Sequence, residues 1–237
     1  DPRTLGIDYP KWEMPARFLI DDGMVIVPPP AGCAAPIVRK ETIGEPPSCT
    51  PLPDDIDAEV LIKVGDKITT DHIMPAGAFL KYRSNIPKYA RYVFDCFNQE
   101  GQPSFADRAL AVRDSGRVGL IVAGDSFGQG SSREHAAICP MYLGVRIVLA
   151  INVERILAAN LVNFGILPLL FQDQADLEAI QPGQSLTIAG LRTQLAAGKT
   201  IAATLTEAGG SRRDLTLTHR LSPEDITTVL QGGKLAG

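Results

Sequence analysis

Three short apolar runs, at residues 118–123, 146–151 and 167–171, constrain this chain more than any other feature. Each has the length and composition of a strand, and a segment of helical length separates each from the next. Gly124 ends the first run, residues 131–143 and 154–163 read as the intervening helices, and Gly165 closes the second of these. Upstream, residues 59–64 form another strand, ended by Gly65-Asp66, and Pro75 opens a short helix running to about Tyr82. Downstream the period changes. Residues 175–180 make a helical turn before Pro182-Gly183. Residues 185–188, 200–206 and 214–219 then alternate as antiparallel strands do, with Gly209-Gly210 as a hairpin turn. Ser222 N-caps a last helix, with Pro223 beside it. Strand and helix in alternation, then a hairpin, predict an α/β core with an added β layer.

Proline marks a different region. Eleven of the eighteen prolines precede residue 57, including Pro28-Pro29-Pro30 and Pro46-Pro47. Proline fixes φ and removes a backbone donor, so residues 1–56 read as an extended, semi-rigid linker. Phe18-Leu19-Ile20 and the apolar run at 24–27 equip it to lie over a surface. Residues 57–237 then make the folded domain. The opening Asp1-Pro2-Arg3-Thr4-Leu5-Gly6 looks like the middle of a longer polypeptide, and we expect a fragment.

Composition removes several function classes. With 45% hydrophobic and 21% charged residues, a core can form, and disorder of the whole chain is excluded. Lysine and arginine number 23 against 27 acidic residues, a net charge of −4 that argues against nucleic-acid binding driven by phosphate neutralisation. No window approaches about 18 uninterrupted apolar residues, so no membrane-spanning helix is predicted. Cys33, Cys49, Cys96 and Cys139 are widely spaced and include no Cys-x-x-Cys pair. They read as reduced thiols of a cytoplasmic protein. His72, His135 and His219 show no metal-ligand spacing, and no metal is assigned to this chain.

The stretch with the most chemistry is residues 124–137, between a buried strand and a helix. Gly124, Gly128 and Gly130 let the backbone take positive φ and approach a ligand closely. The helix that follows aims free N–H groups and its positive end at the loop, which favours an anion. A P-loop lysine is missing, and Arg133 stands where a dinucleotide fingerprint needs glycine. In a first helical turn Arg133 opposes the dipole, and a bound carboxylate reverses that sign; an ion pair with Glu134 or Asp125 is the competing reading. Ser131 also has two readings. With Glu134 it matches a capping box. If Gly130 is the cap instead, converging N–H groups and an arginine can hold the serine as an alkoxide. His135 invites a Ser–His pair, but the Gly-x-Ser-x-Gly elbow is missing, which leaves a histidine that bonds neighbouring loops. A second group of polar residues, Thr69, Thr70, Asp71 and His72, follows the first strand. Asp71 is placed to orient a hydroxyl or to serve a turn, and Arg83 sits at the end of the short helix, where a cation is favoured.

Thr-Thr-Asp-His-Ile at 69–73 and Gly-Ser-Ser-Arg-Glu-His-Ala at 130–136 together resemble the aconitase family of iron–sulfur hydratases. Glu154-Arg155-Ile156, Asn160-Leu161 and the Gly-Ile-Leu-Pro-Leu run at 165–169 extend the resemblance over about residues 57–190. It implies a three-layer β/β/α swivelling domain, which in that family closes over three domains holding a [4Fe–4S] cluster. The isopropylmalate isomerases carry a similar unit as a separate subunit. The resemblance also implies roles: Ser131 as the catalytic base with Asp71 supporting it, Ser132 and Arg133 binding one substrate carboxylate, and Arg83 a second. Thr70, His72, Gly128, Gly130 and His135 belong to the supporting loops. The implied substrate is a tricarboxylate (citrate, cis-aconitate or isocitrate), and the implied partners are the cluster-bearing domains of the same polypeptide, with neither membrane nor nucleic acid. No cofactor is expected in this chain, and the fragment alone should be inactive. Met141 and Leu157 depart from the family pattern, which often has arginine and histidine there. A homoaconitate hydratase, an isopropylmalate isomerase unit, and a non-catalytic anion- or RNA-binding regulatory module are the alternatives.

Overall fold

In the computed structural model, which describes residues 1–33, 38–40, 42–207 and 209–235, seven strands close into a barrel. Strand β1 (Ile56–Lys63) is followed by three helices, α1 (Thr70–Ile73), α2 (Ile86–Tyr89) and α3 (Phe105–Asp114). Then β2 (Val118–Ala123), α4 (His135–Tyr142), β3 (Val145–Ala150), α5 (Arg155–Asn163) and β4 (Leu167–Phe171) alternate. The chain continues through α6 (Asp176–Ala179), β5 (Ser185–Ile188), α7 (Leu191–Ala197), β6 (Thr200–Thr206), β7 (Arg212–Thr218) and α8 (Pro223–Leu230). Strands β1 to β4 pair in parallel, β7, β6 and β5 continue antiparallel from β4, and β5 returns to β1.

The apolar runs are continuous because β2 and β3 separate two cores. Successive side chains point to opposite faces. Leu120, Val122, Ile147 and Leu149 meet Leu186, Ile201, Leu205 and Leu217 inside the barrel. Ile121, Ala123, Val148 and Ala150 face the helices, among Phe105, Ala109, Cys139 and Leu161. Each fully buried Leu or Ile contributes about 1.5–3 kcal/mol. The antiparallel half has one wet face, so β6 alternates buried Ile201, Ala203 and Leu205 with more exposed neighbours. Parallel sheet, antiparallel sheet and helices make the three layers of the expected β/β/α arrangement.

Several ends follow local chemistry. The Ser222 hydroxyl accepts from Asp225 N at 3.1 Å, and the Asp225 carboxylate accepts from Ser222 N at 2.9 Å, closing a capping box with Pro223 at the first position of α8. The structure adds α1, α2, α3 and α7 to the helices expected. The short helix opened at Pro75 becomes a 3-10 segment, Gly77–Tyr82. The largest departure is α4, which begins at His135 rather than 131. Gly130 has φ +97°, Arg133 N bonds Ser131 O at 2.8 Å in a tight turn, and the Arg133 side chain is drawn to Asp71. Residues 131–133 are thereby held out of the helix.

The chain divides into two units, Asp1–Val38 and Arg39–Gly237. In the first, the Asp1 carboxylate caps a 3-10 turn, Pro2–Leu5, which Gly6 closes. Of the proline-rich stretch read as a linker to residue 56, Arg39 onward belongs to the second unit. There Cys49 and Leu52 are buried, Leu52 N donates to Leu230 O at 3.1 Å, and Arg146 Nη2 donates to Thr50 O at 2.8 Å. Among the described residues no helix is long and apolar enough to cross a membrane.

Candidate active site

The loops after β1, β2 and β3 leave the same end of the parallel sheet and are tied to one another through their backbones. Lys67 N donates to Asp125 O at 2.8 Å, Gly128 N to Ile68 O at 2.7 Å, and Thr70 N to Gln129 O at 2.9 Å. From the third loop, Asn152 O accepts from Phe127 N and Glu154 N donates to Phe127 O, both at 2.9 Å. Ser126, at φ +58°, donates its hydroxyl to the Glu154 carboxylate and accepts from Gln129 Nε2 at 2.7 Å. Gly128 sits at φ +93° against Leu157, so close that a Cβ there would lie 2.2 Å from Leu157 Cδ2. Glycine is required on both counts.

Helix α1 is organised by a reciprocal cap. His72 N donates to Thr69 Oγ1 at 3.2 Å, and Thr69 N donates to His72 Nδ1 at 3.1 Å. His72 therefore serves the helix start. Asp71, in the first turn, is favoured by the dipole and receives Arg133 through two parallel bonds, Nη1–Oδ1 at 2.7 Å and Nη2–Oδ2 at 3.1 Å. Arg133 Nη1 also reaches Met74 O at 3.3 Å. The guanidinium holds the Asp71 carboxyl below its usual range, and Asp71 in turn raises Arg133. The carboxylate expected beside Ser131 thus bonds Arg133. The arginine expected in a helical turn, or paired with Glu134 or Asp125, stands in the loop with Asp71.

Ser131 and Ser132 are exposed, and neither hydroxyl has a hydrogen-bond partner among the described residues. The capping box weighed for Ser131 is not formed, because Glu134 caps α4 without a side-chain bond. The helix N-terminus expected beside Gly130, Ser131 and Ser132 lies further along the chain. His135 makes no pair with Ser131. Its Nε2 lies 2.9 Å from the Arg83 carbonyl, and its ring meets Tyr89 edge-on at 5.2 Å. That contact ties the backbone of Arg83, exposed at the end of the 3-10 segment, to the start of α4, which follows the serine loop.

Sequence reasoning gave no site role to Tyr89, Ser126 or Glu154. Tyr89 is fully buried, donates to Pro75 O at 2.8 Å, and has its pKa raised by burial. It underpins the segment that carries Asp71. Its only sequence signal was an aromatic residue in a short helix capped by Asn85.

Among the described residues no three His, Cys, Asp or Glu side chains converge as metal ligands. Cys49 and Cys139 are buried, with thiols pushed up by desolvation, and Cys33 and Cys96 are exposed.

Residues 61–174 match the aconitase C-terminal domain. The chain is 34% identical over 196 residues to the mitochondrial aconitate hydratase of Saccharomyces cerevisiae, covering 77% of this chain and 25% of that protein. It is 34% identical over 193 residues to a probable mitochondrial aconitate hydratase of Caenorhabditis elegans, covering 76% and 25%. This chain spans about a quarter of the length of these relatives. A solved 3-isopropylmalate dehydratase from Methanocaldococcus jannaschii shares the fold, with a TM-score of 0.54 and 22% identity over 76% of this chain and 90% of that one. The relatives are named as mitochondrial enzymes, which overturns the cytoplasmic location expected from the reduced thiols; reduced cysteines do not discriminate between these compartments. With the loop motifs, the barrel and these matches in agreement, the chain belongs to the aconitase family, of which it carries the C-terminal domain.

Proposed function

We propose that this chain is the C-terminal quarter of an aconitate hydratase, which interconverts citrate and isocitrate through cis-aconitate by dehydration and rehydration. The observation that carries the reading is a pair of exposed, unbonded serine hydroxyls beside an arginine whose plane is already set. Asp71 occupies the Nη1/Nη2 end of Arg133 and leaves the Nε edge without a partner among the described residues. That edge, with the Ser132 hydroxyl, suits a bidentate substrate carboxylate. Arg83, whose backbone carbonyl meets His135, offers a second cation. Ser131 then removes the carbon-bound proton; the C–H electron pair forms the double bond as the hydroxyl leaves the neighbouring carbon with its bonding pair and departs as water, protonated by a group outside this chain. A serine acts as a base only when nearby donors and cations stabilise its alkoxide.

The remaining groups lie outside this chain, in the other three-quarters of the polypeptide, where the [4Fe–4S] cluster would belong. The full-length protein should interconvert citrate and isocitrate, followed by the ultraviolet absorbance of the new double bond. Ser131→Ala should lower kcat by orders of magnitude and leave KM within a few-fold, because a base acts only in the transition state. Selective turnover of homocitrate or isopropylmalate would reassign the substrate. Near-normal kcat in Ser131→Ala would remove the serine from the chemistry.

A further inference from the structure

The Thr70 side chain is 3% exposed, and its Oγ1 is the one buried side-chain polar atom without a hydrogen-bond partner among the described residues. Native proteins rarely leave such a group, and an unmet buried hydroxyl calls for a functional or solvent explanation. The usual local outlets are taken: Thr69, not Thr70, caps α1, and the Thr70 backbone N–H is spent on Gln129 O. The hydroxyl points toward the serine loop. A side chain at Gly130 would begin 3.8 Å from Thr70 Oγ1, with no other atom within 4 Å of it. Gly130 has none, so the hydroxyl faces bare backbone at the residue preceding Ser131. At φ +97° Gly130 is also a swivel that most residues cannot adopt. Ser131 begins one peptide further on, about 3.8 Å between Cα atoms.

We infer that Thr70 is a positioning residue for Ser131, donating its buried hydroxyl to the Ser131 oxygen when substrate is bound. The inference rests on the reading of Ser131 as the base. Thr70 neither gains nor loses a proton. Its hydrogen bond favours the deprotonated serine that accepts the carbon-bound proton, and it limits the directions in which that oxygen can point. The orphan hydroxyl is thereby satisfied in the state in which the chemistry occurs, and α1 is joined to the loop over it.

The test uses the full-length enzyme with Thr70→Val, which keeps the shape and removes the hydroxyl, and Thr70→Ser, which keeps the hydroxyl. Thr70→Val should lower kcat by about tenfold to a hundredfold with KM within about threefold. The limb of its kcat/KM profile that reports deprotonation of the base should move to higher pH. Thr70→Ser should restore kcat to within about threefold of wild type. A merely structural threonine predicts the opposite pattern, with valine the better replacement. If Thr70→Val does not fold, Thr70→Ala and Thr70→Ser decide: equal rates in these two overturn the inference. Wild-type kcat and pH profile in Thr70→Val also overturn it and leave the reading of Ser131 standing. A wild-type enzyme without turnover would instead remove the reading itself.

Discussion

Replacing Asp71 with Asn in the full-length protein separates two roles for this carboxylate: support of Ser131, and custody of Arg133. The geometry favours the second, through bonds of 2.7 and 3.1 Å. The effect on stability should be small. The Asp71 side chain is 56% exposed, and exposed ion pairs contribute about 0.2–1 kcal/mol. The functional effect should be larger. Without Asp71 the guanidinium loses its fixed plane, and a hydrogen-bonded charge contact to a substrate carboxylate, about 1.5–3 kcal/mol, goes with it. That is about 10–150-fold in kcat/KM, expressed mainly in KM because the carboxylate is bound in ground and transition states alike. A double-mutant cycle with Arg133→Ala supplies the decisive measurement. If Asp71 acts through Arg133, Asp71→Asn should cost almost nothing once Arg133 is gone. Steady-state kinetics of the four proteins tests this. Additive losses, with the Asp71→Asn effect in kcat alone, would refute the reasoning and return Asp71 to the serine. The pH dependence carries its own sign. The folded-state pKa of Asp71 lies below the unfolded value of about 3.9, so the pair is intact above that value. Its contribution is lost only as pH falls through the depressed folded pKa.

Gly128→Ala should destabilise the domain by about 1–2 kcal/mol for an L-residue at φ +93° and about 1–3 kcal/mol for overpacking against Leu157. Leu157→Ala should relieve only the overpacking, so denaturant titration of the double mutant should show a loss smaller than the sum; strict additivity would count against the contact. His219 is buried, its Nδ1 accepts from Leu221 N at 3.2 Å, and its Nε2 lies 3.0 Å from Gly198 O, which selects the neutral ring protonated on Nε2. Burial lowers its pKa, so its contribution to stability is present above about pH 6.5 and is lost as pH falls from there toward the folded value. The melting temperature of wild type should therefore fall across that window more than that of His219→Gln, and parallel curves would contradict it. The 237-residue chain alone should show no hydration of cis-aconitate, because its serines and arginines form one face of a site; turnover would show that this face suffices.

Much of this protein is legible in short stretches of sequence. The runs at 118–123 and 167–171 emerge as strands with those same bounds, because uninterrupted apolar residues have no other place than a sheet covered on both sides. Ser222 with Asp225 announces α8 because a cap needs only residues three apart. The motif residues of the two loops also stand out, since glycine and polar clusters after strands are local signals. The α3 helix was not among the helices expected, although its signals are equally local, with Ser104 as its cap and Phe105, Ala109 and Val112 buried.

What tertiary structure alone decided are the partners. Asp71 and Arg133 are 62 residues apart, and their bonds form only because parallel pairing of β1 with β2 brings both loops to one end of the sheet. The start of α4 at His135 is likewise decided there: the capping box that Ser131 and Glu134 offer locally is not formed, and Arg133 bonds Asp71 and Met74 O from the loop. The return of β5 to β1, which closes the barrel, has no signature in either strand. A periodic pattern or a cap draws its energy from residues a few positions apart, so the sequence alone determines it. An ion pair, an orphan hydroxyl such as that of Thr70, or a closed sheet draws its energy from the approach of distant segments, and only the packed fold sets which groups meet.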